Sequence, residues 1–200
     1  MYDSLDSIIL GRRSIRRYHD LPVAREVLET ILNAASWAPS AHNRQPWRFA
    51  VITSPQERRE LALAMGARLR ADLHADNVPS ELIEKDANRS YARLTAAPVI
   101  VIVCLTMLDM DRYPDIKRSE AEHLMAVQST AMAVQNLLLE SHARGLGACW
   151  MCAPLFCPDV VSSQLGLPAD WEPQALLTLG YPAETRQSSR HPLQDRVIWR

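Results

Sequence analysis

Arg12-Arg13-Ser14-Ile15-Arg16 places three guanidinium groups and one hydroxyl within five residues. Each guanidinium offers paired N–H donors in a planar fork and the hydroxyl adds another, a donor set matched to a phosphate monoester. A solvated basic loop has the same composition, so the cluster alone leaves both readings open. A second concentration of polar groups lies in APSAHNRQPWRFAVI, from Ala38 to Ile52. Pro39 and Pro46 forbid a continuous helix there, while Ser40, His42, Asn43, Arg44 and Gln45 crowd hydrogen-bonding groups into a short loop. Helical periodicity ends at Trp37 and a β-branched run begins at Phe49, so the loop hangs between two packed elements. Loops held in this way commonly carry binding groups, although a plain surface loop with a capping Ser or Asn fits the same residues.

Cys149-Trp150-Met151-Cys152 is a C-x-x-C, and Cys157 extends it. A dithiol or a metal–sulfur site is one reading. On a strand, however, residues three apart point to opposite faces, which favours small buried apolar cysteines instead. Glu120-x-x-His123 has the spacing of half a carboxylate di-metal site but lacks the second copy, and a solvated charge pair is expected. Gly145-x-Gly147 follows a helix and precedes a strand, the reverse of a dinucleotide-binding turn. Neither a metal site nor a Gly-x-Ser-x-Gly nucleophile elbow is expected.

The 200-residue chain suits a single domain spanning 1–200, with 182–200 as a C-terminal arm. Lys plus Arg number 22 against 23 acids, a net charge of −1 that gives neither a nucleic-acid footprint nor a polybasic membrane anchor. The longest apolar run, Ala96 to Leu105, is half of what a bilayer span needs. The N-terminus carries acids before its short apolar stretch and arginines after it, the reverse of a secretory signal, so a cytoplasmic location is expected. Four cysteines in a chain this long make no disulfide framework.

Periodicity predicts helices from Asp3 to Arg13, Pro22 to Trp37, Pro55 to about Leu73, Pro79 to about Leu94, Arg118 to Ala143 and Asp159 to Leu165. Strands are predicted at Arg48–Thr53, in VIVIVCL after Pro98, in ACWMC, and from Gln174 to Tyr181. On the longest helix Leu124, Val127, Ala131, Val134 and Leu138 form one apolar stripe, with Met125, Met132 and Leu139 beside it. Such a helix is central, or packs against another subunit. The fold class is α+β, with a local crossover permitted between the second and third strands.

Five fragments in order, RRSIRRY at Arg12–Tyr18, APSAHNRQPW at Ala38–Trp47, GLGACW at Gly145–Trp150, LGYP at Leu179–Pro182 and RHPL at Arg190–Leu193, resemble the FMN-dependent nitroreductase family. The resemblance implies a three-layer α+β fold whose antiparallel-dominated sheet is flanked by helices, in a homodimer with the long helix at its interface. It implies two FMN molecules bound between subunits, with a small-molecule electron donor and acceptor. By family pattern Arg12, Arg13, Ser14 and Arg16 would hold the phosphate and ribityl chain, joined by Arg190. Pro39, Ser40 and Asn43 would approach the same flavin from the other subunit, and Trp150, Met151, Cys152 and Ala153 would line the ring. The flavin would carry the redox chemistry, and no side chain is expected to be catalytic.

Many family members have Glu-Gly where this chain has Cys152-Ala153. The extended pattern, including RADL at Arg70–Leu73, YPD at Tyr113–Asp115, AEH at Ala121–His123 and LPADWEPQ at Leu167–Gln174, is similar to a narrower subgroup. That subgroup is the reductase domain fused to the glutamyl ligase of deazaflavin coenzyme biosynthesis, which reduces a dehydro precursor. This reduction is the expected function, with NAD(P)H-dependent reduction of nitro or quinone compounds as the alternative and a non-catalytic flavin-binding protein as a further one.

Overall fold

Ser4 caps the first helix, because its hydroxyl accepts the Ser7 N–H at 3.2 Å. The computed structural model describes residues 4–200, so Asp3, the expected start of that helix, lies outside the described residues. The elements that follow are α1 (Leu5–Gly11), α2 (Arg25–Ser36), β1 (Trp47–Ile52), α3 (Pro55–Ala75), α4 (Ser80–Ala96), β2 (Val99–Leu105), α5 (Ile116–Ala143), β3 (Gly147–Met151), α6 (Pro158–Leu165) and β4 (Glu172–Gly180). Each expected helix and strand is present, with ends moved by a few residues. The largest shift is at α2, which opens at Arg25 rather than Pro22 because Val23 is spent as an extended core residue.

The strands form one sheet in the order β1-β2-β4-β3, and every neighbouring pair is antiparallel. The crossover allowed between β2 and β3 is therefore realised across β4: the two strands run parallel to each other but never touch. β2 is buried along its whole length. Its alternation divides the interior in two, since Val99, Val101 and Val103 face the core beneath α2 and α5, whereas Ile100, Ile102 and Cys104 face the core beneath α3 and α6. Burying each such aliphatic side chain contributes about 1.5–3 kcal/mol, which makes β2 the keel of the three layers.

On α5 the expected apolar stripe and the buried face overlap only in part, with Val134 fully buried and Val127 and Leu138 partly so. The residues buried within the chain are Glu122, Ala126, Ser129, Thr130, Ala133, Val134, Leu137 and Ser141. Leu124 and Met132, placed in the stripe from periodicity, are 55% and 40% exposed. Small side chains let α5 approach the sheet closely, which leaves the larger apolar ones on its open side. Among the described residues no helix is long and apolar enough to cross a membrane.

Candidate functional site

The arginine-rich segment leaves α1 and is fastened along β3. Ile15 N–H donates to the Ala148 carbonyl at 3.0 Å, and Ser14 forms an isolated parallel bridge with Ala148. Gly147 makes this approach possible, because a Cβ there would lie 2.7–2.9 Å from the side-chain carbons of Ile15. Further along, the Tyr18 hydroxyl donates to the Ile15 carbonyl and meets the Thr178 hydroxyl at 2.8 Å, tying the segment to β4. Burial pushes the Tyr18 phenol well above its ordinary value.

Held there, the guanidinium groups crowd one another. Burial lowers the pKa of Arg12, and the charges of Arg190 and Arg13 lower it further, which places both of those cations near Arg12. None of Arg12, Arg13, Arg16 and Arg190 has a salt-bridge partner among the described residues. Arg13 turns Nη1 back onto the Leu10 and Arg12 carbonyls at 2.6 and 2.8 Å, closing the end of α1, while its Nε is buried without a partner. The nearest carboxylate is engaged elsewhere: Glu184 accepts the Arg16 N–H at 2.7 Å and pairs with Arg186 at 2.9 Å. Burial alone would raise the Glu184 carboxyl, but those two donors outweigh it and leave the group below its ordinary value. Arg12 and Arg13 line a cavity of about 280 Å³ together with His142, Gly147, Arg186 and Glu184. Glu184 is paired with Arg186, so the excess of cations makes a site for an anion, and a phosphate monoester matches the donor set.

From this cluster β3 leads outward along the edge of the sheet. The Ala148 carbonyl points away from β4, toward Ile15, so by alternation the backbone N–H and C=O of Trp150 face the same open side. At the strand's end the Trp150 Nε1–H donates to Cys152 Sγ at 3.1 Å, and Ala153 opens a short 3-10 turn. Trp150 and Met151 therefore stand on the strand to which the arginine segment is fastened, and Cys152 and Ala153 follow immediately beyond its end.

The expectation of buried cysteines holds for Cys104, Cys149 and Cys157 but not for Cys152, which is exposed because β3 ends at Met151 and Cys152 stands at the start of the turn beyond it. Burial pushes the Cys104 thiol up to about 12 and raises Cys149 and Cys157 as well, the first despite the nearby charges of Arg16, Arg93 and Arg12. A raised pKa means less thiolate at neutral pH, so alkylation at pH 8 should label Cys152 and leave the other three unmodified, as mass spectrometry of the folded protein would show. Rapid labelling of two or more sites would contradict it. Among the described residues no group of three His, Cys, Asp or Glu side chains could hold a metal ion. His123 pairs not with Glu120 but with Glu172 on β4, at 2.8 Å.

Pro39, Ser40 and Asn43 lie elsewhere in the chain. Their loop is docked on the middle of α5, where Ala41 N–H donates to Ser129 Oγ at 3.2 Å. The arginine cavity is lined by His142 on the same helix, about 20 Å further along the axis at the helical rise per residue. One chain thus brings Arg12, Arg13, Ser14, Arg16 and Arg190 together and connects them to residues 150–153, but does not bring the 38–46 loop to them. His42, Asn43 and Gln45 all have left-handed backbone, with φ of 50°, 55° and 51°. Each costs roughly 1–2 kcal/mol in a residue with a side chain, so the surrounding structure must enforce the shape. Ser40 Oγ accepting the Gln45 N–H at 3.0 Å is one such restraint.

Three residues of this region were not singled out from sequence, and Gly147 was noted there only for a dinucleotide-binding turn that the element order excludes. Arg93, on α4, puts its charge near Cys149, and Arg186 and His142 line the cavity. Gly147 admits Ile15. Arg186 lies in the 182–200 arm, whereas Arg93 sits in an ordinary amphipathic helix, and only the fold carries it to β3.

Residues 9–181 match the Nitroreductase family. The chain is 36% identical to a protein named NADH dehydrogenase from Thermus thermophilus, over 96% of this chain and 93% of that one. It is 30% identical to a 5,6-dimethylbenzimidazole synthase from Rhodospirillum rubrum, over 98% and 89%. A structure described as a nitroreductase in complex with FMN, from Desulfovibrio desulfuricans, superposes with a TM-score of 0.76 at 30% identity, covering 100% of this chain and 98% of that one. With the antiparallel sheet between helical layers, the edge strand and the arginine segment fastened to it, the match over most of the sequence establishes that this chain belongs to the nitroreductase family.

Proposed function

We propose that the protein is an FMN-dependent oxidoreductase that takes reducing equivalents from NAD(P)H and passes them to nitroaromatic or quinone acceptors. The observation that carries this reading is the set of unneutralised guanidinium groups at the start of an open sheet edge, which suits a phosphate with a planar group extending along β3. The names of the relatives favour the nicotinamide donor: NADH dehydrogenase for the Thermus protein, and NADH dehydrogenase/NAD(P)H nitroreductase for one from Methanothermobacter thermautotrophicus at 30% identity.

Arg12, Ser14, Arg16 and Arg190 hold the phosphate and ribityl chain, and Arg13 both closes α1 and adds positive charge. The outward backbone groups of Trp150, with Met151, Cys152 and Ala153, orient the ring. When bound, FMN supplies the redox chemistry itself, accepting a hydride from the nicotinamide and delivering it to the acceptor. Pro39, Ser40 and Asn43 complete the site from a second copy of the chain, which accounts for their separation from the arginines within one copy. The exposed Leu124 and Met132 on α5 give that copy an apolar face to cover.

The extended sequence pattern, with Cys152-Ala153 in place of Glu-Gly, supports reduction of a dehydro precursor in deazaflavin coenzyme biosynthesis as a second reading. One experiment separates these. The purified protein should be yellow, bleach anaerobically with NADH or NADPH, and regain its colour when a benzoquinone or nitrobenzoate is added. Recovery with the dehydro precursor but with neither of those acceptors would put the second reading in place of the first. A bound flavin that no donor bleaches would mark a binding protein, and a colourless protein that refuses FMN would overturn the proposal.

A further inference from the structure

The loop from 38 to 46 holds its left-handed residues without any glycine, and the structure shows what braces it. Glu122, near the start of α5, is 1% exposed. Its Oε1 accepts the Asp111 N–H at 3.1 Å, and its Oε2 has no partner. Asp111 in turn accepts a hydrogen bond from Arg44 through its side chain. Two further links join the same pair of segments, Arg48 Nη2 to Asp109 Oδ2 at 2.6 Å and Thr106 N–H to the Pro46 carbonyl at 2.9 Å. The other end of the loop rests on Ser129, whose hydroxyl accepts the Ala41 N–H while donating to the Met125 carbonyl at 2.7 Å. Glu122 and Ser129 are seven residues apart, two turns of α5, and so stand on one face of the helix as two posts.

A buried carboxylate with a single backbone donor is a costly way to stabilise a fold, since its second oxygen is left without compensation. It is an effective way to fix a backbone amide, because the accepting oxygen is itself held in place by burial on a long helix. We infer that Glu122 is a positioning residue which, through Asp111 and Arg44, holds the 38–46 loop in its bound shape before the cofactor arrives. The inference rests on the reading that this loop meets the flavin. Its consequence is preorganisation: loop ordering is already complete, so binding does not have to supply it.

The test compares Glu122→Ala and Glu122→Gln with wild type, by amide hydrogen exchange on the apoprotein and by the FMN dissociation constant. In Glu122→Ala the Ala41 and Gln45 amides should exchange at least tenfold faster while the Ile102 amide in β2 keeps its rate, and FMN should bind about tenfold more weakly. Glu122→Gln keeps the acceptor oxygen and should stay within about threefold of wild type in both measurements. Equal acceleration at Ile102 would mean a general loss of stability and would overturn the inference, as would unchanged exchange at Ala41 and Gln45. Faster loop exchange with unchanged FMN affinity would uphold the brace and overturn the reading that the loop meets the flavin. Should Glu122→Ala not fold, Arg44→Ala removes the outer strut at a half-exposed position. It should speed loop exchange about threefold, and a wild-type rate there overturns the inference.

Discussion

Arg12→Ala should weaken FMN binding by about ten- to a hundredfold, with the protein still folded. Hydrogen bonds between charged partners contribute about 1.5–3 kcal/mol each, and each 1.4 kcal/mol is about a tenfold change in affinity. Arg12 is suited to such a role because its charge is already at a disadvantage: burial and the fields of Arg190 and Arg13 act against it, and no acid relieves them. A phosphate relieves all three at once. The same crowding predicts that removing Arg12 from the free protein costs little stability, since repulsion is lost along with the side chain. Arg12→Lys should recover only part of the affinity, because an ammonium keeps the charge but not the forked pair of donors. Fluorescence titration of FMN against both variants reads this directly, and raising salt should weaken wild type more than Arg12→Ala. A dissociation constant for Arg12→Ala within twofold of wild type would remove the arginine segment from the site.

Gly147→Ala is expected to have the next largest effect, and it acts on the same segment from behind. The added methyl would stand 2.7–2.9 Å from three side-chain carbons of Ile15, distances at which one side must move. Ile15 is 8% exposed and cannot swing into solvent without uncovering apolar surface. Overpacking of this kind costs about 1–3 kcal/mol. Relief must come from a shift of the backbone that carries Ser14 and Arg16, loosening the Ile15 N–H to Ala148 bond. Denaturant unfolding should therefore show a loss of stability, and FMN affinity should fall with it. Retention of full cofactor affinity in a destabilised protein would show that the arginines keep their place independently of β3.

The contrast between the two positions shows what was legible in the sequence. The arginine cluster announces itself by composition, and its chemistry follows from guanidinium geometry alone. The order of helices and strands was equally open to reading, because β2 is β-branched from Val99 to Val103 and α5 is long and periodic. Which face of α5 turns inward was not. Periodicity marks a stripe of large apolar residues, but close packing on the sheet selects Ala126, Ala133 and Ser129 instead. Local pattern also cannot report contacts made across the chain. Arg93 approaches Cys149 from a helix that ends before β2 begins, and Glu122 reaches Asp111 only because the segment after β2 folds back over α5. Ile15 against Gly147 joins residues more than a hundred positions apart, and nothing near either one betrays the other.

Both broad surfaces of the sheet are roofed by helices, and this confines where the protein can diversify. Every substitution on β2 disturbs one core or the other, because successive side chains enter opposite ones. The rim at Leu155 and Phe156 has no such obligation, both side chains being largely in solvent. Libraries aimed at new acceptors should therefore be drawn from that rim, where the architecture tolerates novelty, and should leave the interior strand untouched.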